Sequence, residues 1–167
     1  NPRTPTYDPT ILNAGAAHST GFEAEVEALP TDNLRLRLGL SVLEAEYDEG
    51  TLPTGEPLRK IPYAPKYSGD LSAEYRIPLA GGNLVLLGEA VMRGDSWLSQ
   101  DNQPDGKQDA YQLYNARLGY ESSGGKWSVF LWGKNLTDKV VKQRLFDLYG
   151  IDVVGQKFVE LNEPRTY

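Results

Sequence analysis

The sequence has no cysteine among its 167 residues, which excludes a disulfide framework, a thiolate nucleophile and any cysteine-ligated metal. It has one histidine, His18, too little for a histidine-built zinc centre. It also lacks a long apolar run. The longest aliphatic stretch is Leu84 to Leu87, far short of the roughly 20 residues a spanning helix needs, so any crossing of a bilayer has to be made by strands. Cations are in deficit: 17 Lys and Arg stand against 23 Asp and Glu, a formal charge of −6. Phosphate backbones are bound by clustered cations, so no nucleic-acid partner is expected. The opening, Asn1-Pro2-Arg3-Thr4-Pro5, lacks the basic and then apolar segments of a signal peptide, and the expectation is a mature or internal piece.

What is present is alternation. Asn1 to Ala17 is aperiodic and reads as loop, but from Gly21 to Leu29 Phe22, Ala24, Val26 and Ala28 oppose Glu23, Glu25 and Glu27. Period two means strand. After a turn at Pro30 to Asn33, Leu34, Leu36, Leu38, Leu40 and Val42 oppose Arg35, Arg37, Gly39 and Ser41. The pattern slips near Val42 and Leu43 and continues through Ala45 and Tyr47, which could mark a bulge. Asp48 to Pro62 reads as a long loop. Tyr67 to Leu79 sets Leu71, Ala73, Tyr75 and Ile77 against Asp70, Ser72, Glu74 and Arg76. Leu84 to Trp97 follows a glycine turn; its facing is ambiguous because Val85, Leu87 and Val91 share parity with Glu89 and Arg93, which are placed on the polar side. Ser99 to Gln108 is polar loop, Ala110 to Glu121 a fifth strand carrying Arg117, and Trp127 to Asn135 a sixth. Lys139 to Glu163 is long and irregular, and Pro164-Arg165-Thr166-Tyr167 reads as the start of a further strand.

Connections alternate short and long, as the two rims of an outer-membrane barrel require. The strands run about 10 to 15 residues, at or beyond the roughly 9–11 of a tilted membrane strand and longer than the roughly 5–6 of soluble sheets. Aromatics sit at both strand ends: Tyr75, Tyr120 and Trp127 by the short turns, Tyr47, Tyr67, Trp97 and Tyr111 by the long loops. Strand propensity alone would place single aromatics so, but not in two girdles. The charged parity, Glu23, Glu25, Glu27, Arg35, Arg37, Asp70, Glu74, Arg76 and Arg117, is either the wet outside of a sandwich or the lumen of a barrel. Loop asymmetry and girdles favour the lumen. The fold class expected is all-β, an antiparallel meander of transmembrane barrel strands.

Particular residues carry a resemblance. Asn13-Ala14-Gly15, Gly21-Phe22-Glu23-Ala24-Glu25 and Pro30-Thr31-Asp32-Asn33-Leu34 resemble the late strands of TonB-dependent receptors, as do Tyr63-Ala64-Pro65-Lys66, Asn115 to Tyr120, Asn135-Leu136-Thr137-Asp138-Lys139 and Pro164-Arg165-Thr166-Tyr167. The resemblance covers nearly the whole chain. It implies that residues 1–167 are the C-terminal segment of a larger barrel of about 22 strands, set in the cell outer membrane and cut before its final strand. Six strands are too few for a bacterial single-chain barrel, which has at least about eight. Implied partners are outer-membrane lipid, the rest of the barrel and its plug, TonB through a part outside this sequence, and a small-molecule substrate such as an iron–siderophore complex. The alternative is a small autonomous barrel or a soluble β-sheet binding module.

Other chemistry is weaker. Asp101, Gln103, Asp105 and Gly106 partly mimic a calcium loop, but Gln112 stands where the bidentate Glu belongs. His18 beside Ser19 is adjacency without a third, orienting group. Glu44 and Glu46 are rim or lumen charges, and Asn135-Leu136-Thr137 is a strand-end motif before it is a glycosylation sequon. No enzyme, metal or cofactor is expected. Ligand contacts are expected from the long loops, above all from Lys142, Arg144, Phe146, Tyr149 and Phe158, which offer cations and aromatics to an anionic or aromatic chelate.

Overall fold

Leucines two residues apart, separated by arginines, sort onto opposite sides only if the backbone is extended. The computed structural model, which describes residues 15–52, 55–147 and 157–167, is extended almost throughout. Its strands are β1 (Gly15–Thr31), β2 (Leu34–Gly50), β3 (Tyr67–Leu79), β4 (Gly82–Arg93), β5 (Ser96–Trp97), β6 (Lys107–Gln108), β7 (Tyr111–Ser122), β8 (Ser128–Gly133), β9 (Lys142–Asp147) and β10 (Lys157–Leu161). β1, β2, β3, β4, β7 and β8 form one six-stranded antiparallel sheet in that order, while β5 pairs with β6 and β9 with β10. Short turns join β1 to β2, β3 to β4 and β7 to β8 at one end; at the other lie the longer connections.

Register fixes the facing of every strand. Glu27 pairs with Arg37 and Glu25 with Gly39, Arg35 with Glu74, Arg37 with Ser72 and Gly39 with Asp70. Glu74 then pairs with Leu87 and Arg76 with Val85, and Leu87 with Arg117. Paired residues project to the same side, so Glu23, Glu25, Glu27, Arg35, Arg37, Asp70, Glu74, Arg76 and Arg117 share one face. The ambiguous strand is settled: Glu89 pairs with Ser72 and Arg93 with Ser68, which puts both on that charged face, with Val85, Leu87 and Val91 between them.

The opposite face is apolar and bare. Phe22 is 67% exposed, Val129 60% and Leu131 70%, and Leu38, Leu40, Leu71, Leu86 and Leu118 are exposed as well. The buried hydrophobic residues among those described are Leu58, Val85, Leu98 and Val141, and none of them belongs to this face. A sandwich would cover its apolar side with a second layer; none lies there among the described residues.

Several sequence boundaries move. β1 begins at Gly15, within the stretch read as loop, because Ala16 to Thr20 carry no apolar period yet stay paired with β2. The slip at Val42 is no bulge: pairing runs unbroken from Ala17 with Tyr47 to Ala28 with Leu36, and the shift falls at Asp48, between Ala16 and Ala17. What changes at Val42 is which side is wet. β3 stops pairing at Tyr67, and above it Leu43 and Ala45 line a small cavity with Ile61, Ala64 and Trp97, leaving Glu44 to the former apolar side. β4 stops at Arg93 rather than Trp97. Gly94 lies against the Tyr67 ring, where a Cβ would come within 3.2 Å, and Ser96 and Trp97 turn away to pair with β6. The sixth strand is shorter than read, Ser128–Gly133.

Beyond β8, Asn135 knots the chain. It is buried with a φ of 49°, a left-handed conformation that Asn tolerates better than most residues. Its carboxamide accepts from Lys139 N and donates to Lys139 O and Glu163 O. Asp138 accepts from Arg165 N, and Lys134 and Thr166 exchange backbone bonds. The motif Asn135-Leu136-Thr137-Asp138 therefore holds Pro164–Tyr167 beside β8. Asn135→Ala should leave these backbone groups unpaired at a cost of about 1–3 kcal/mol and speed amide exchange at Lys139 and Arg165; an unchanged exchange rate would show that the knot is dispensable.

Candidate functional site

At the end with the longer connections, the 3-10 turn Pro104–Gly106 and the hairpin β9–β10 pack as one unit. The acidic pattern of Asp101, Gln103 and Asp105 does gather a cation, but it is a side chain. The Lys157 ammonium lies 3.3 Å from Asp101 Oδ2 and 3.1 Å from Asp105 Oδ2, between the carboxylates. The sequence reading, which set the motif aside as a polar loop, did not foresee this ammonium. Lys142 Nζ donates to the carbonyls of Asp105 and Lys107, and its backbone N–H to Gln108 Oε1. A Cβ on Gly106 would come within 3.3 Å of Leu145, so that glycine lets the turn approach the hairpin.

Of the five residues picked as ligand contacts, three come together. Phe146 pairs with Phe158 and Arg144 with Glu160; residues two apart share a side, so one face of the hairpin presents Arg144, Phe146 and Phe158. Both phenylalanines are exposed, as is Arg144, whose Nε lies 3.8 Å from Glu160 Oε2. Lys142 is not among them. The register shifts between Glu160 and Leu161, skipping Gln143, and this bulge turns Lys142 toward the Asp101–Lys107 side. Tyr149 lies outside the described residues.

The charged face of the large sheet is a chain of ion pairs. Glu27 Oε2 accepts from Arg37 Nε at 3.2 Å, and Arg35 Nε lies 3.5 Å from its other oxygen. Arg76 contacts both Glu74 and Glu121 at 2.9 Å. Glu74 also lies 4.0 Å from Arg117, whose guanidinium stacks 4.8 Å over the Phe130 ring. Gly119 makes that stacking possible: a Cβ there would fall 2.1 Å from the ring. Glu121 and Phe130 were not singled out in the sequence, because their part depends on register. His18 meets Asp48 across the β1–β2 ribbon at 2.6 Å, with no serine in that pair. Among the described residues no group of acids and histidines is placed to hold a metal.

Burial raises the Asp101 pKa, but hydrogen bonds from Ser99 Oγ and Gln103 N and the Lys157 ammonium outweigh it and hold the carboxyl below its ordinary 3.8. A depressed carboxyl stabilises the fold fully above its unfolded value and loses that contribution as pH falls through the folded one. The junction between turn and hairpin should therefore be intact at neutral pH and loosen below about pH 4. Asp101→Asn should loosen it at neutral pH and remove the acid dependence, read as amide exchange of Leu145 and Val159 in the intact protein. Identical exchange in mutant and wild type would refute the junction.

A family model for the TonB dependent receptor-like β-barrel matches residues 1–136. The ferric-pyoverdine M114 receptor PbuA of Pseudomonas sp. (strain M114) is 27% identical over 160 residues, covering 93% of this chain and 18% of that protein. The ferric yersiniabactin uptake receptor FyuA from Yersinia pestis superposes with a TM-score of 0.75 at 20% identity, over 92% of this chain and 23% of that one. The siderophore receptor PiuA from Acinetobacter baumannii gives 0.68 at 19% identity, over 89% and 20%. The chain thus spans about a fifth of the length of these relatives. Proteins of this kind are receptors rather than enzymes, and their barrels lie in the outer membrane. The matched family model and the bare-sided antiparallel meander together establish that this chain belongs to the TonB-dependent receptor β-barrel family.

Proposed function

We propose that residues 1–167 are a C-terminal wall segment of a receptor that imports an iron–siderophore complex, with the charged face lining the lumen. The observation that carries this is the bare apolar side. Exposed leucines and valines along a continuous sheet need a lipid solvent. From the row of Tyr67 to the row of Ile77 and Tyr120 is about ten residues; at about 3.3 Å each and a tilt near 40°, that is a height of about 25 Å, the apolar band of an outer-membrane barrel. Tyr120 and Trp127 close the lower edge with ring centroids 5.2 Å apart. Above Val42 the same side turns to Thr20, Glu44 and Glu46, as a strand does on leaving lipid.

The rest of the barrel, the plug and TonB, contacted through parts outside this sequence, complete the transporter. Within this segment the ligand is met at the outer rim by the hairpin face of Arg144, Phe146 and Phe158. The relatives are named as a ferric-pyoverdine receptor, a ferric yersiniabactin uptake receptor and a siderophore receptor, and a guanidinium one row from a cross-strand pair of exposed rings suits an anionic chelate with aromatic groups.

Arg placed at Leu36 or Leu118 should block assembly in the outer membrane, at a cost of roughly 2–4 kcal/mol near the bilayer midplane, whereas Ser72→Arg on the charged face should assemble normally. Equal tolerance at the three positions would overturn the facing. Arg144→Ala combined with Phe158→Ala in the full-length receptor should weaken binding of its ferric siderophore at least tenfold with the barrel correctly assembled. Unchanged affinity would remove the hairpin from the binding site.

A further inference from the structure

At the level of the upper girdle lies an open depression of about 360 Å³, lined from the apolar side by Tyr67, Met92, Gln112 and Tyr114, with Lys139 beside them and Arg93 and Tyr111 reaching it from the charged parity. Its floor is built. The Tyr67 ring covers Gly94, the Tyr114 hydroxyl donates to Gln112 Oε1, and Arg93 folds back to donate to the carbonyls of Gly69 and Met92. None of the lining residues is acidic. Lys139 is exposed, and its ammonium forms no ion pair among the described residues, in a chain where acids outnumber cations 23 to 17. Immediately below on the same side, Leu38, Leu71 and Ala90 form a continuous apolar row.

We propose that this depression holds the anionic, phosphate-bearing headgroup of an outer-leaflet lipid, with Lys139 as its counter-ion and the Tyr67 and Met92 side chains against the upper acyl chain. The inference rests on the apolar side facing lipid. Charge complementarity and position select the occupant. An unpaired ammonium beside tyrosines at the boundary between an apolar band and water is a donor set for a phosphate anchored by its own chain. A soluble anion would gain nothing from the methionine and the ring below it. The occupant ties the Lys139 turn, and through Asn135 the Pro164–Tyr167 segment, to the membrane surface.

The test uses the full-length receptor in detergent, titrated with phosphatidylglycerol, phosphatidylcholine or inorganic phosphate and read by native mass spectrometry. Phosphatidylglycerol should bind at least fivefold more tightly than phosphatidylcholine; Lys139→Gln should abolish the difference and Lys139→Arg should retain it. Equal binding of the two lipids, or a preference unaffected by Lys139→Gln, would overturn the proposal. Inorganic phosphate competing at the same concentration as the lipid would overturn it in favour of a soluble-anion site. A fluorophore on Leu86→Cys, quenched by brominated lipid in vesicles, separates the two levels: quenching with no lipid preference sinks the headgroup site alone, while no quenching sinks the facing on which it rests.

Discussion

Every backbone N–H and C=O in a bilayer must find a partner within the protein, because lipid offers none. The unbroken antiparallel ladder from β1 to β8 is the answer to that demand, and the rest of the structure hangs from it. Once adjacent strands are locked in register, side chains have no freedom of facing, since a slip of one residue would send every leucine of a strand to the charged side. Register brings Arg37 to Glu27 across one hairpin and Glu121 to Arg76 from a distant segment, while Glu74 meets Arg76 along its own strand. It also brings Gly119 beneath Phe130 and Gly39 beside Asp70, where a side chain would collide.

The parts of this architecture that repeat every two residues were legible in the sequence. β3 has the bounds its alternation gave, Tyr67–Leu79, and the charged parity of β1, β2 and β7 lies on one face as read. β4 could not be resolved that way because Val85, Leu87 and Val91 sit among the charges; only pairing with Ser72 and Ser68 decides it. Alternation also fails wherever both sides become wet or both become covered. The extension of β1 through Ala16 to Thr20 and the reversal past Val42 are such places, since there the period reports the surroundings and not the backbone.

The rim was the least legible. Its contacts join residues decades apart, such as Lys157 with Asp101 and Lys142 with Asp105, and no local period announces them. One bulged residue, Gln143, separates Lys142 from Arg144 in role although they are neighbours in composition. By contrast the motif around Asn135 was visible as a motif, while its reason, a carboxamide that satisfies three backbone groups at once, required the fold.

Lys157 between Asp101 and Asp105 has a consequence for the conditions under which this rim can work. A loop folded around calcium lends part of its stability to the surrounding medium and weakens wherever that ion is scarce or sequestered. Here the counter-charge is covalently part of the chain, at a fixed local concentration that no dilution alters. A junction closed by its own lysine thus keeps its shape whatever the free-ion level of the medium around it.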